Sequence, residues 1–286
     1  MTLLDHLVPS VRELIELPKA QRVSVIQGDR FYIDHPQSSE IIKMIENVVS
    51  VPRRTQAPCM IVTGASGSGK TSIIQQMRLN KEMVERVVFI DMAANPFNLK
   101  FGDLLVSAMG LPANLIKLAP SRRVLMPAEL IEVIRLRRIK ALVIDELQDS
   151  MLAARTDQQR NLSIMKWFTN PDVGVSIFGF GVHEARNALK LDEQLARRFF
   201  SVEIRDWGED ETFRSFLAGI EMNLPLRQPS RLDCAEIVGC LLQHTSGRMS
   251  SVISLLKSAA CYAVNSGEER ITVASLNHAA THPWSY

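Results

Sequence analysis

Cys59-Met-Ile-Val-Thr-Gly64-Ala-Ser-Gly-Ser-Gly69-Lys70-Thr71-Ser-Ile-Ile-Gln-Gln-Met77 is the stretch that decides the fold. Cys59 to Val62 form a short apolar run that predicts a buried strand, and the residues after Thr71 predict a helix. Between them Gly64, Ala65, Ser66, Gly67, Ser68, Gly69, Lys70 and Thr71 satisfy GxxxxGK[ST] at every specified position. The glycines let the backbone wrap closely around a polyphosphate and turn successive N–H groups inward. The helix that begins at Lys70, Thr71 and Ser72 points its positive end at the same anion. Lys70 is expected to reach the β- and γ-phosphates of ATP, and the Thr71 hydroxyl to ligate Mg²⁺.

Such a loop needs a second element downstream, an apolar strand ending in an acid. Ala141-Leu-Val-Ile-Asp145-Glu146 supplies it. Asp145 is expected to hold the Mg²⁺ through its water shell, and Glu146 to orient and polarise an attacking water. An acid pair ending a strand is common in isolation, as a helix cap or a solvated turn. Beside the phosphate loop it reads as catalytic.

Working outward, further apolar runs at Val87 to Ile90, Val173 to Phe178 and Val202 to Ile204 alternate with helical patterns. Short continuous runs of this kind predict a parallel sheet covered on both faces by helices. After Arg205 only helical periodicity remains, with helices expected over Thr212 to Glu221, Leu232 to His244, Ser250 to Val264 and Thr272 to Ala280. The expected organisation is an N-terminal helical extension over residues 1–50, an α/β P-loop core over 51–205 and a small all-helical domain over 206–286. Within the extension, Ser38 or Ser39 is suited to cap a helix carrying Ile41, Ile42, Ile45 and Val48 on one side.

Composition sets outer bounds. With 46% hydrophobic and 22% charged residues the chain has ample material for a core, and a net charge of +2 is too mild to announce a nucleic-acid binder. No apolar run approaches the roughly 20 residues that span a bilayer. Cys59, Cys234, Cys240 and Cys261 form no CxxC pair and read as reduced, buried thiols, so a cytoplasmic protein without membrane association is expected. Lys100, Lys117, Arg122 and Arg123 fall in loop-like sequence and are candidate contacts to a DNA backbone. The run Arg135 to Lys140 fits a solvated helix face better. Gly179-Phe-Gly181 lacks the third glycine of a dinucleotide fingerprint, His183-Glu184 lacks a second histidine, and His278 with His282 lacks a third ligand.

Several further segments resemble the transposition ATPases of the TniB/TnsC type, within the AAA+ superfamily. Asp29-Arg-Phe-Tyr-Ile-Asp-His35-Pro36 is similar to that family's leading segment, as are Gly179-Phe-Gly-Val-His-Glu-Ala185 and Asp192-Glu-Gln-Leu-Ala-Arg197-Arg198-Phe199 to later blocks. Leu224-Pro-Leu-Arg227-Gln-Pro-Ser230 is the most specific likeness. The resemblance implies an AAA+ core with a helical lid that binds ATP and Mg²⁺, assembles as a homo-oligomeric ring or filament on double-stranded DNA, and recruits a transposase. In some elements such proteins also meet a target-selection protein, either RNA-guided or DNA-binding. Arg197 or Arg198 would act as the arginine supplied to a neighbouring subunit's nucleotide, and Arg248 as a lid arginine facing it. Two departures stand out. Val182 replaces a threonine that would help position water, which implies slow hydrolysis, and Gln148 stands where relatives often carry histidine. The alternatives are a replication-initiator or helicase-loader ATPase of the same fold, and a non-hydrolysing adaptor switched by ATP.

Overall fold

The computed structural model describes residues 4–28, 32–51, 56–95, 97, 99–113, 117–118, 124–151 and 154–286. These divide into two compact units: Met1–Pro36, Gly67–Gly69 and Asp206–Tyr286 form one, and Gln37–Ser66 with Lys70–Arg205 form the other.

The second unit is built on a parallel sheet. Its strands are β1 (Cys59–Gly64), β2 (Val87–Asp91), β5 (Ala141–Asp145), β6 (Ser176–Gly181) and β7 (Phe199–Ile204), in the order β2-β5-β6-β1-β7. A separate antiparallel pair, β3 (Lys117–Leu118) with β4 (Val124–Leu125), was not foreseen, because two-residue strands carry no readable period. Side chains alternate across a strand, and the sequence uses that alternation to build two cores. Cys59, Ile61, Val88, Ile90, Leu142, Ile144 and Ile177 enter one, packed with Leu105, Leu130, Ile164 and Phe168 from helices. Met60, Val62, Val87, Val143, Phe178 and Phe180 enter the other, packed with Ile41, Ile45, Ile73, Ile74 and Met77. β1, β5 and β6 are buried along their whole length, as strands covered on both faces must be. β7, at an edge of the sheet, is half-exposed and presents Phe200 to solvent.

The stretch read as one N-terminal extension is divided between the units. Helix Pro36–Ser50 lays Ile41, Ile45 and Val49 into the core that Met60 and Val62 share. The residues before it, with helix Lys19–Gln27, belong to the first unit, where Ile26 joins Phe213, Leu217, Val238, Leu256 and Leu276 in one core. The helices of that unit are Glu211–Asn223, Ala235–Thr245, Met249–Ser266 and Val273–Thr281, each near its expected place. Several of their ends are capped. Asp210 accepts from Phe213 N–H at 2.8 Å, Thr272 and Ser275 form a reciprocal capping box, and Gly267 closes the long helix at φ +84°.

The segment Leu224–Ser230, the most specific of the resemblances, is held by two carboxylates. Glu221 accepts from the backbone N–H of Ser230, Arg231 and Leu232 at 2.8, 3.1 and 2.8 Å. Glu269 pairs with the buried Arg22 and accepts from Arg227 N–H at 3.3 Å. Leu224 and Leu226 fill the core between these anchors.

All four cysteines are free, with Cys59, Cys240 and Cys261 buried. Burial pushes the Cys59 thiol up to about 12 and raises Cys240 and Cys261 as well. No helix of the described residues is long and apolar enough to cross a membrane.

Candidate nucleotide site

Because the five strands run parallel, β1, β2, β5 and β6 deliver their last residues to one edge of the sheet. Register pairs Asp91 with Asp145 and Thr63 with Gly181. The phosphate loop leaves β1 at Gly64 and enters helix Lys70–Leu79. Gly67 and Gly69 have φ of +77° and +94°, a left-handed backbone that side chains disfavour, and this turns the loop back on itself. Gly67 also lies against helix Met249–Ser266 of its own unit: Ser250 N–H donates to Gly67 O at 2.9 Å, and a Cβ on Gly67 would fall 2.2 Å from Ser250 Oγ.

Lys70 is only 5% exposed, and its ammonium donates to the carbonyls of Gly64 and Ala65, both at 3.0 Å. Ser68 is buried, and its hydroxyl has no hydrogen-bond partner among the described residues. Buried hydroxyls are nearly always satisfied, so an orphan inside a glycine loop fits a loop shaped for a ligand that accepts hydrogen bonds. Ala65 is half-buried, while Ser66 and Ser72 are exposed.

The two halves foreseen in the sequence meet. Thr71 Oγ1 donates to Asp145 Oδ2 at 2.8 Å, which brings a hydroxyl and a carboxylate together as an oxygen-ligated Mg²⁺ would need. Asp145 also accepts from Glu146 N–H at 3.0 Å. Its carboxyl is nonetheless held above the usual range, chiefly by burial. The hydrogen bonds from Thr71 and Glu146 N–H oppose that shift, and the charges of Glu146 and Asp91 add to it. A divalent cation would reverse this balance. The residues present therefore fit a nucleotide with its metal: the loop, Lys70 and Ser68 for the phosphates, Thr71 and Asp145 for Mg²⁺.

Glu146 follows at φ +51°, a strained conformation for a non-glycine residue and one that clusters at functional positions. Gln148 lies beside it. Its Nε2 donates to Glu146 Oε2, and its Oε1 accepts from Val182 N–H at 3.2 Å. Nothing in the sequence alone pointed to this bridge. Asp91 was missed too, although β2, like β5, ends in an aspartate. Asp91 Oδ1 accepts from Ala93 N–H and Ala94 N–H at 3.0 and 3.2 Å and turns the chain after β2.

The neighbouring arginines separate clearly. Arg198 is tied to its own unit, donating from Nη1 to Lys166 O at 3.4 Å, Thr169 Oγ1 at 2.5 Å and Asn170 Oδ1 at 3.2 Å. Arg197 is 82% exposed, and among the described residues it has a loose pairing to Glu193 at 3.9 Å. Arg248, at the cap of helix Met249–Ser266, donates from Nε to Asp206 Oδ1 at 2.8 Å. Of the four candidate DNA contacts, Lys100 is 62% exposed and 3.7 Å from Asp157. The backbone of Lys117 lies on β3 rather than in a loop. Arg122 and Arg123 lie outside the described residues. No cluster of three or more metal-ligating histidines, cysteines or carboxylates occurs among the described residues, and His278 simply stacks on His282 at 5.0 Å.

Comparison with solved structures returns proteins of the AAA+ fold. The Aeropyrum pernix ORC2 protein, solved as ADPNP-ADP complexes, is similar at a TM-score of 0.61 and 14% identity, covering 91% of this chain and 71% of that one. The Aeropyrum pernix ORC1 protein in complex with DNA is similar at 0.56 and 13%, covering 91% and 68%. Domain III of the Thermotoga maritima replication initiation protein DnaA is similar at 0.52 and 16%, covering 86% and 91%. At such identities the likeness establishes the fold, an α/β P-loop core with a helical region. A search of curated proteins finds no match. The model of the bacterial TniB protein family matches residues 22–209, from helix Lys19–Gln27 to just past β7, and the chain belongs to that family.

Proposed function

We propose that this chain is an ATP-dependent regulator of DNA transposition, which assembles on double-stranded DNA and recruits a transposase to the target. The observation that carries the nucleotide half of this reading is the 2.8 Å hydrogen bond from Thr71 to Asp145 beside a left-handed glycine loop and a buried lysine. Lys70 and the loop N–H groups grip the phosphates, while Thr71 and Asp145 hold Mg²⁺, which when bound neutralises charge on the phosphate oxygens. Glu146 orients and polarises the attacking water.

Arg197, being exposed where Arg198 is committed to Thr169 and Asn170, is the arginine supplied to a neighbouring copy. Assembly on DNA is the reading that family membership and the fold's occurrence in an ORC1 protein solved with DNA support. Lys100, Lys117, Arg122 and Arg123 are the proposed backbone contacts. A partner that selects the target, RNA-guided or DNA-binding, belongs to the same reading.

The test is Glu146→Gln with duplex DNA and ATP. The variant retains nucleotide binding, loses turnover by about 100-fold or more, and leaves persistent assemblies visible by electron microscopy that co-sediment with the transposase. Unchanged turnover rules out Glu146 as the water-activating base. An absence of ATP-dependent assemblies in both proteins removes the regulatory reading.

A further inference from the structure

We infer that Gln148 is the positioning residue for Glu146, a carboxamide bracket that fixes the water-orienting carboxylate to the end of β6. The inference rests on the hydrolytic role proposed for Glu146. Its basis is a three-point geometry within one unit. Val182 N–H is a backbone donor and can only donate, so the oxygen of the Gln148 amide must face it, at 3.2 Å. The amide nitrogen is thereby forced toward Glu146, whose carboxylate accepts. Each end of the amide meets the group it requires, so its orientation follows from the network itself.

The third point is Gly181, the last residue of β6. A Cβ there would lie 2.5 Å from Gln148 Oε1 and 3.3 Å from the Ala185 Cβ. The glycine therefore leaves the space in which the carboxamide sits. The Glu146 backbone is left-handed and tied to Asp145 and to Asp149 N–H, and a strained residue keeps one conformation only when its surroundings hold it there. The bracket does so. It also supplies the polar group at the β6 terminus that the hydrocarbon side chain of Val182 does not.

Gly181→Ala tests this without altering either partner. The added methyl meets chiefly the far end of the flexible Gln148 side chain, and the Ala185 Cβ at 3.3 Å needs to yield by only a few tenths of an ångström, so the chain folds with Gln148 displaced. Turnover of Mg·ATP by the full chain with duplex DNA is expected to fall about 10- to 100-fold, with nucleotide Kd and KM within about twofold, because orientation rather than binding is lost. Gln148→Met, which keeps shape but loses both hydrogen bonds, should give the same split. The double variant should fall no further, since both changes remove one interaction. Gln148→His, whose neutral ring keeps one donor and one acceptor, should recover part of the rate.

Amide hydrogen exchange at Val182 provides a readout independent of turnover: faster in Gly181→Ala and Gln148→Met, unchanged in Glu146→Gln. If both single variants turn over at the wild-type rate while Glu146→Gln is inactive, Gln148 is not a positioning residue although the hydrolytic reading stands. If wild type and Glu146→Gln alike hydrolyse nothing, the hydrolytic reading falls, and the positioning role falls with it whatever the exchange shows. Unchanged exchange at Val182 in both variants overturns the bracket itself.

Discussion

Carboxylates are used in opposite ways at the strand ends and in the helical unit. In the helical unit Glu221 spends its two oxygens on three backbone N–H groups, and Glu269 is matched by Arg22 and the Arg227 N–H. These carboxylates complete the fold. At the strand ends the balance is left open: Asp145 sits above its ordinary range because of burial, and Glu146 is strained at φ +51°. Glu221 and Glu269 are satisfied by their own chain and serve the structure. Asp145, which burial penalises without full compensation, fits a place where a cation binds.

Three substitutions press on this contrast. Lys70→Ala should raise the Kd for Mg·ATP by 100-fold or more, a loss of roughly 3 kcal/mol, with little change in thermal stability. Calorimetry checks the first and a melting curve the second; retained micromolar affinity would show that the lysine serves the fold instead. Glu269→Ala should do the reverse. It leaves Arg22 buried without its partner, which costs about 3 kcal/mol, read as a lower denaturant midpoint for the helical unit with nucleotide affinity unchanged. A midpoint close to wild type would mean that Arg22 finds another acceptor.

The smallest effect, and the sharpest, is expected from Asp145→Asn. Burial raises the folded-state pKa of Asp145. Its contribution to stability is therefore present in full below the unfolded pKa and is lost as pH rises through the folded value. A permanently neutral asparagine avoids that loss. The ligand-free variant should melt higher than wild type at pH 7, on the order of 2 °C, with the gain shrinking as pH falls and the aspartate becomes protonated in both states. Magnesium-dependent ATP uptake should be lost at the same time. A variant that melts lower at pH 7 would place Asp145 among the carboxylates that serve the fold.

Legibility in the sequence follows the same division. The phosphate loop and the acid ending β5 were readable because their chemistry depends on local spacing: a glycine pattern, a strand before it, a helix after it. The two-sided sheet was readable from short apolar runs, although β6 begins at Ser176 and Val173 lies ahead of it. Helix Pro36–Ser50 was readable as a helix with a buried side, but periodicity says only that a face is covered and never by what. Residues 1–50 were accordingly grouped, whereas the structure assigns this helix from Gln37 onward to the sheet and its predecessors to the helical unit. Arg197 and Arg198 are adjacent and chemically identical, and what distinguishes them is their surroundings: Arg198 meets Lys166 O, Thr169 and Asn170, while Arg197 is exposed. Gln148 was legible as the residue standing where relatives often carry histidine, but its bridging role was not, for the same reason. Its partner at Val182 N–H lies on another strand end, 34 residues away.

The inert thiols have a practical consequence. Maleimide dyes react with thiolates, and Cys59, held up to about 12 inside the sheet, presents almost none at neutral pH. Cys240 and Cys261 are buried and shifted the same way, which leaves the partly exposed Cys234 as the main source of background. Replacing that one residue clears the chain for a single engineered cysteine at a solvent-facing site such as Leu191, which is 69% exposed. Donor- and acceptor-dyed copies, mixed with duplex and nucleotide, then report self-association by energy transfer in real time.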